Sequence, residues 1–139
     1  MSIKEIQDEI IDDFSLFGDW MEKYEYIIDL GKSLPLIDEQ YKDEAHLIKG
    51  CQSKVWLHAE MKGEEVFFTA DSDAIITKGI ISLLIRVLSE QQAEDIANAD
   101  LYFIEQIGLK EHLSPTRSNG LVSMVKQMKL YGLALAQTK

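Results

Sequence analysis

The feature that most constrains this chain is a change in hydrophobic period. Between Lys54 and Ala70 apolar residues recur at every second position, whereas on both sides they recur every three or four. A period of two belongs to a half-buried strand and a period near 3.6 to a helix with one apolar face. A chain carrying both in separate blocks packs helices against a small sheet. In the middle block Val55, Leu57, Ala59 and Met61 alternate with Lys54, Trp56, His58 and Glu60; beyond Lys62-Gly63-Glu64, Val66, Phe68 and Ala70 alternate with Glu65, Phe67 and Thr69. The glycine-containing break reads as a turn, so the two segments form an antiparallel hairpin. Ala45 to Lys49 reads as a shorter strand ahead of them, which makes a three-stranded meander.

The flanking blocks read as helices. Ser2 with Glu5 matches a capping box, followed by Ile3, Ile6, Ile10, Phe14 and Phe17 at helical spacing, and Gly18 suits a left-handed C-cap. Asp19 and Glu22 open a second helix through Trp20, Tyr24, Ile27 and Ile28 to Gly31, and the two make a helical hairpin. Leu34-Pro35 breaks the pattern, and the charged stretch from Asp38 to Glu44 reads as solvated loop. Asp71-Ser72-Asp73 caps the next helix, whose residues from Ile75 to Leu88 are apolar almost all round, so it is expected at the centre. Gly79 inside it marks a close approach to the sheet. Ser89 with Gln92 reads as the start of a short helix containing Ala93, Ile96 and Ala97. Asp100 starts another that stops at Gly108, and Ser114-Pro115 starts the last, with Leu121, Met124, Val125, Met128 and Leu135 in register. The class expected is α+β: a small three-stranded antiparallel sheet covered mainly on one face by helices. At 139 residues one domain spans positions 1–139.

Charge and composition narrow the partners. Twenty-four acidic against 14 basic residues give a formal net charge of −10, which repels phosphate backbones and anionic lipid. Neither nucleic acid nor a membrane is expected as a partner. The acidic, amphipathic N-terminus does not read as a signal peptide, and no run of about 18 apolar residues occurs to span a bilayer. A cytoplasmic location is expected, and a single cysteine fits a reducing compartment because it forms no internal disulfide.

That cysteine, Cys51, is the candidate for chemistry. It lies in Ile48-Lys49-Gly50-Cys51-Gln52-Ser53, between segments that read as strands, and the glycine before it permits a tight or left-handed turn. A lone cysteine is also commonly a packed small hydrophobe. The three histidines, His46, His58 and His112, follow no HxH, HExxH or CxxC spacing, so no metal site is expected. The carboxylates fall mainly on polar helix faces, and the glycines form no phosphate cradle. Arg117 is one of only two arginines, and a cation of this kind beside a thiolate would lower its pKa.

Gly50-Cys51-Gln52-Ser53-Lys54-Val55-Trp56-Leu57 resembles the GCxSxVW segment of the SufE family, the sulfur acceptors of iron–sulfur cluster assembly. Trp20 to Pro35, Asp71-Ser72-Asp73-Ala74 with Gly79, and Leu113-Ser114-Pro115-Thr116-Arg117-Ser118-Asn119-Gly120-Leu121 resemble three further family segments in the same order. The resemblance implies a fold like that of the IscU scaffold proteins. It also implies that Cys51 accepts persulfide sulfur from a PLP-dependent cysteine desulfurase of the SufS type, stimulates that enzyme and passes the sulfur to the SufBCD scaffold complex. Gly50, Gln52 and Ser53 would shape the loop, and Asp73 and Arg117 would be neighbours or partner contacts. No cofactor is expected in this chain, since the PLP belongs to the desulfurase, and a monomer or weak homodimer is expected. The chain would then be a transpersulfidation protein and an activator of the desulfurase. A CsdE-type acceptor serving a paralogous desulfurase is the nearest alternative. An iron–sulfur scaffold or a thiol redox sensor are the others, though a cluster usually takes four such ligands and a sensor usually has a resolving cysteine.

A single thiol suits sulfur carriage on chemical grounds alone. A second thiol within reach would attack the new persulfide, release sulfide and leave an internal disulfide. Exposure to cytosolic thiols would also discharge the persulfide, so the resting sulfur is expected under apolar neighbours, on a loop that everts when a partner docks.

Overall fold

The computed structural model describes residues 1–137. Helix α1 (Ile3–Ser15) begins with the expected capping box: Ser2 Oγ accepts from Glu5 N at 3.1 Å and Glu5 Oε1 accepts from Ser2 N at 3.0 Å. Asp19 caps α2 (Trp20–Gly31) by accepting from Glu22 N at 2.9 Å. Gly18 is not left-handed. Helix α1 already closes at Leu16 in right-handed geometry, and the glycines with positive φ are Gly50, Gly63 and Gly108.

The hairpin forms as its alternation requires. Strand β1 (Val55–Lys62) pairs antiparallel with β2 (Glu65–Ser72), from Val55 opposite Ser72 to Lys62 opposite Glu65, with Gly63 at φ +66° in the turn. Val55, Leu57, Val66, Phe68 and Ala70 are buried on one face, and on it β2 packs against α3 (Ile75–Leu88). The sheet is three-stranded and antiparallel, but its third member differs from the expected one. Ala45 to Lys49 is not a strand: Asp43 Oδ1 accepts from His46 N at 3.1 Å and winds Glu44–His46 into a 3-10 turn, leaving one isolated bridge between Leu47 and Trp56. The third strand is β3 (Gln91–Gln92), on the other edge of β2 opposite Glu65 and Val66. Glu90 turns the chain back with φ 63°, and its N–H donates to Val66 O at 2.7 Å.

Two expected caps serve the sheet instead. Strand β2 continues through Ser72, so α3 starts after Ala74 with no side-chain cap. Asp71 instead pairs with Lys42 at 2.6 Å and Lys78 at 3.3 Å. Ser89 ends α3, and its Oγ accepts from Phe68 N at 3.0 Å, so the next helix, α4 (Ala93–Ala97), begins only after β3.

Short helices α5 (Phe103–Gln106) and α6 (Leu109–His112) lead into the long α7 (Pro115–Ala136). Helix α3 is central as expected, with Ile80, Ile81, Leu83, Leu84, Val87 and Leu88 all buried. Its Gly79 does mark a close approach, but to α2 rather than to the sheet. A Cβ at that position would stand 2.1 Å from Ile27 O. Gly31 faces it from α2, where a Cβ would lie 3.0 Å from Gly79 N.

Candidate functional site

The Cys51 loop is closed at its base by two sets of hydrogen bonds. Ile48 N donates to Val55 O at 2.8 Å on one side. On the other, Asp73 Oδ1 accepts from Lys54 N at 3.0 Å and Asp73 N donates to Lys54 O at 3.2 Å. Asp73 thereby ties the end of the loop to the start of α3. Between these ties the chain turns at Gly50, with φ +94°, a conformation that L side chains rarely adopt. A Cβ there would also approach Ser123 Oγ to 2.3 Å. The loop thus lies along α7, with Gly50 over Ser123 and Cys51 one turn earlier over Gly120.

Cys51 is half-buried. Its Sγ donates to Gly120 O at 3.6 Å, and a Cβ on Gly120 would stand 3.4 Å from the sulfur. Gln52 is exposed and Ser53 half-buried. All three line a cavity of about 370 Å³, walled by Thr77 and Ile80 of α3 and by Ser114, Thr116, Arg117 and Met124 at and along α7. The expected apolar shelter is therefore only partial. Ile80 and Met124 supply it, and hydroxyl groups make much of the remaining wall.

Structure brings Arg117 to this cavity, but its guanidinium donates to the Tyr24 hydroxyl rather than to the sulfur. Burial pushes the Cys51 thiol up from its ordinary pKa. The resting thiol is protonated at neutral pH, as its donation to Gly120 O requires. Alkylation of Cys51 by iodoacetamide should accordingly show a pH midpoint above the roughly 8.5 of free cysteine. In a group whose folded pKa is raised, the stabilising effect of the neutral form is complete below the unfolded value. It is lost as pH rises through the folded one, so the thiol weakens the fold only on the alkaline side. A midpoint at or below that of free cysteine would contradict the sheltered geometry.

The histidines are placed apart from the thiol loop's contacts. His46 Nδ1 lies 2.7 Å from Asp43 Oδ1, and its Nε2 is 3.3 Å from His58 Nδ1. His58 stacks on Tyr41 at 3.9 Å and His112 on Trp20 at 4.1 Å, while His46 lies tilted against Tyr41 at 5.1 Å. Among the described residues no group of three or more His, Cys, Asp or Glu side chains is positioned to hold a metal ion. No helix among them is long and apolar enough to cross a membrane.

Three residues here carry no role in the sequence reading: Thr77, Gly120 and Ser123. Gly120 has a usable signal. A glycine inside an otherwise helical pattern costs about 1 kcal/mol against alanine, which points to a neighbour that needs the space. Thr77 and Ser123 carry none, because each reads as an ordinary helical position until the loop is folded against it.

Fold and loop together define an α+β protein that presents one thiol on a glycine-turned loop between a sheet and a long helix. The chain belongs to the SufE family: the family's profile, described as an Fe-S metabolism associated domain, matches residues 8–132. An uncharacterized SufE-like protein of Rhizobium etli is 41% identical over 127 residues, covering 88% of this chain and 86% of that protein. One of Rhizobium meliloti is 39% identical over 127 residues, covering 88% and 91%. The solution structure of a hypothetical protein from Thermus thermophilus superposes with a TM-score of 0.78 at 18% identity, covering 96% of this chain and 97% of that one, which shows the shared fold.

Proposed function

We propose that this chain is a sulfur carrier that accepts the sulfane sulfur of a cysteine desulfurase on Cys51, raises that enzyme's turnover and passes the sulfur to the SufBCD scaffold in the cytoplasm. The observation that carries this reading is the Cys51 loop itself: a glycine-turned thiol, half-buried, resting on a helix backbone beside a cavity. Membership of a family associated with Fe-S metabolism supports it.

The step is a thiol exchange. Cys51 thiolate attacks the outer sulfur of the donor persulfide, a new S–S bond forms to Sγ, the donor's S–S bond breaks and the donor cysteine leaves as thiolate. No electrons are gained or lost overall. Only the thiolate attacks, and at rest the thiol is held neutral, so contact with the donor must lift Sγ from Gly120 and remove its proton. Gly50 is the flexible point for that movement, and the ties at Ile48 and Asp73 keep the rest of the hairpin in place. The donor's PLP generates the persulfide, and this chain's residues only receive the sulfur. Gln52 and Ser53 flank the attacking atom. Arg117, held by Tyr24 at the cavity, offers a fixed cation to a partner carboxylate.

Adding the chain to a SufS-type desulfurase supplied with free cysteine should raise alanine release. A parallel titration against a paralogous desulfurase separates a SufE-type from a CsdE-type carrier by which enzyme responds. Unchanged turnover with every desulfurase of the same cell would end the proposal.

A further inference from the structure

The resting contact of the thiol creates a conflict that sulfur loading must resolve. Donation from Sγ to Gly120 O at 3.6 Å needs the S–H proton. Once Sγ carries a second sulfur that proton is gone, and a carbonyl oxygen can only accept. Persulfides are more acidic than thiols, so the outer sulfur also tends to carry negative charge, which the carbonyl repels. It has to turn away from Gly120 and towards hydrogen-bond donors.

The cavity beside Cys51 supplies donors on its α3 wall. Thr77 is only 6% exposed and lines the cavity, yet its hydroxyl has no hydrogen-bond partner among the described residues. Among the described residues the fully buried side-chain polar atom left without a partner is Trp20 Nε1, so the Thr77 hydroxyl is instead open to the cavity and free to bond what enters it. Ala74 N donates to Ser72 Oγ at 3.3 Å, but Thr77 is the third residue of a 14-residue helix whose N-cap side chain bonds nothing, so the N–H groups of Ile75, Ile76 and Thr77 meet no side-chain acceptor. They form the positive end of the α3 dipole, which favours an anion. Ser114 and Thr116 add hydroxyls from the start of α7. About 370 Å³ is ample for one sulfur and accompanying water, since a water in the liquid takes about 30 Å³.

We propose that the Thr77 hydroxyl, at the positive end of α3, forms the seat for the outer sulfur of a Cys51 persulfide, bound as its anion. This rests on the reading that Cys51 carries a persulfide. Ionisation there releases one proton to solvent, Cys51–S–SH giving Cys51–S–S⁻, with no change of oxidation state. Cys51 then has two addresses: Gly120 when empty and Thr77 when loaded. Thr77 binds the cargo, and it takes no part in holding the empty thiol.

The test loads Cys51 without a desulfurase. An aryl disulfide, dithiobis(nitrobenzoate), converts the thiol to a mixed disulfide with release of one thionitrobenzoate. Hydrosulfide then attacks Sγ, forming the new S–S bond and expelling the second aryl thiolate. The loaded protein is treated with iodoacetamide across a pH series, and the alkylated persulfide is counted by intact mass. Removing a hydrogen bond to a charged group should raise the persulfide's midpoint by about one pH unit in Thr77→Val and Thr77→Ala. Thr77→Ser, which keeps the hydroxyl, should keep the wild-type midpoint. The midpoint of the empty thiol should coincide in all four proteins. Coincident persulfide midpoints in wild type and Thr77→Val would overturn the proposal, as would equal shifts in the loaded and empty forms, which report only altered burial. Because no desulfurase takes part, failure of a desulfurase to load Cys51 would refute the carrier reading without touching this result.

Discussion

Gly79→Ala is expected to lower stability by about 3 kcal/mol, the largest loss foreseen for a single methyl group in this chain. The added Cβ would stand 2.1 Å from Ile27 O and 2.7 Å from Ile27 C. Both are backbone atoms of α2, so no rotamer change relieves the overlap and the two helices must part. The better helix propensity of alanine returns only about 1 kcal/mol. For a domain of this size the melting temperature should fall by roughly 10 °C. Gly18→Ala is the matching control: a Cβ there meets nothing within 4 Å, and its melting point should stay within the small range of surface substitutions, about 0.5 kcal/mol. Equal melting points for wild type and Gly79→Ala would mean that α2 and α3 do not pack this closely.

Cys51→Ser should abolish stimulation of the desulfurase while leaving the fold untouched. The hydroxyl replaces the thiol at similar size, retains a donor for Gly120 O and cannot accept sulfane sulfur under these conditions. Desulfurase turnover with this variant should equal turnover with no carrier added, while the thermal melt stays within about 0.5 kcal/mol of wild type. Residual stimulation by the serine variant would show that binding alone, and not sulfur acceptance, activates the donor.

Elements governed by local pattern are legible in the sequence, and those governed by closure in space are not. The β1–β2 hairpin follows from strict alternation over two strands of eight residues each around Gly63. Helix α3 follows from its nearly continuous apolar run. The third strand escapes the pattern because β3 is only two residues long and exists through the turn at Glu90, which no periodicity encodes. Ala45 to Lys49 resembles a strand, but the Asp43 cap tightens its start into a 3-10 turn before a ladder can form. Within the site, Gly50 and Cys51 announce themselves by residue type. Asp73 reads as a helix cap because its actual partner, the Lys54 backbone, lies 19 positions away along the chain. Thr77 gains meaning only when α3 and α7 close around the thiol loop.

In the proposed function, Cys51 takes sulfur from a desulfurase. Wild type and Cys51→Ser, each incubated with a SufS-type desulfurase, PLP and free cysteine and then weighed intact without reductant, test it most directly. The expected result is a gain of one sulfur atom on wild type, removable by dithiothreitol, and none on the serine variant. Wild type left at its starting mass by every desulfurase of the cell, or the same gain on Cys51→Ser, would contradict it.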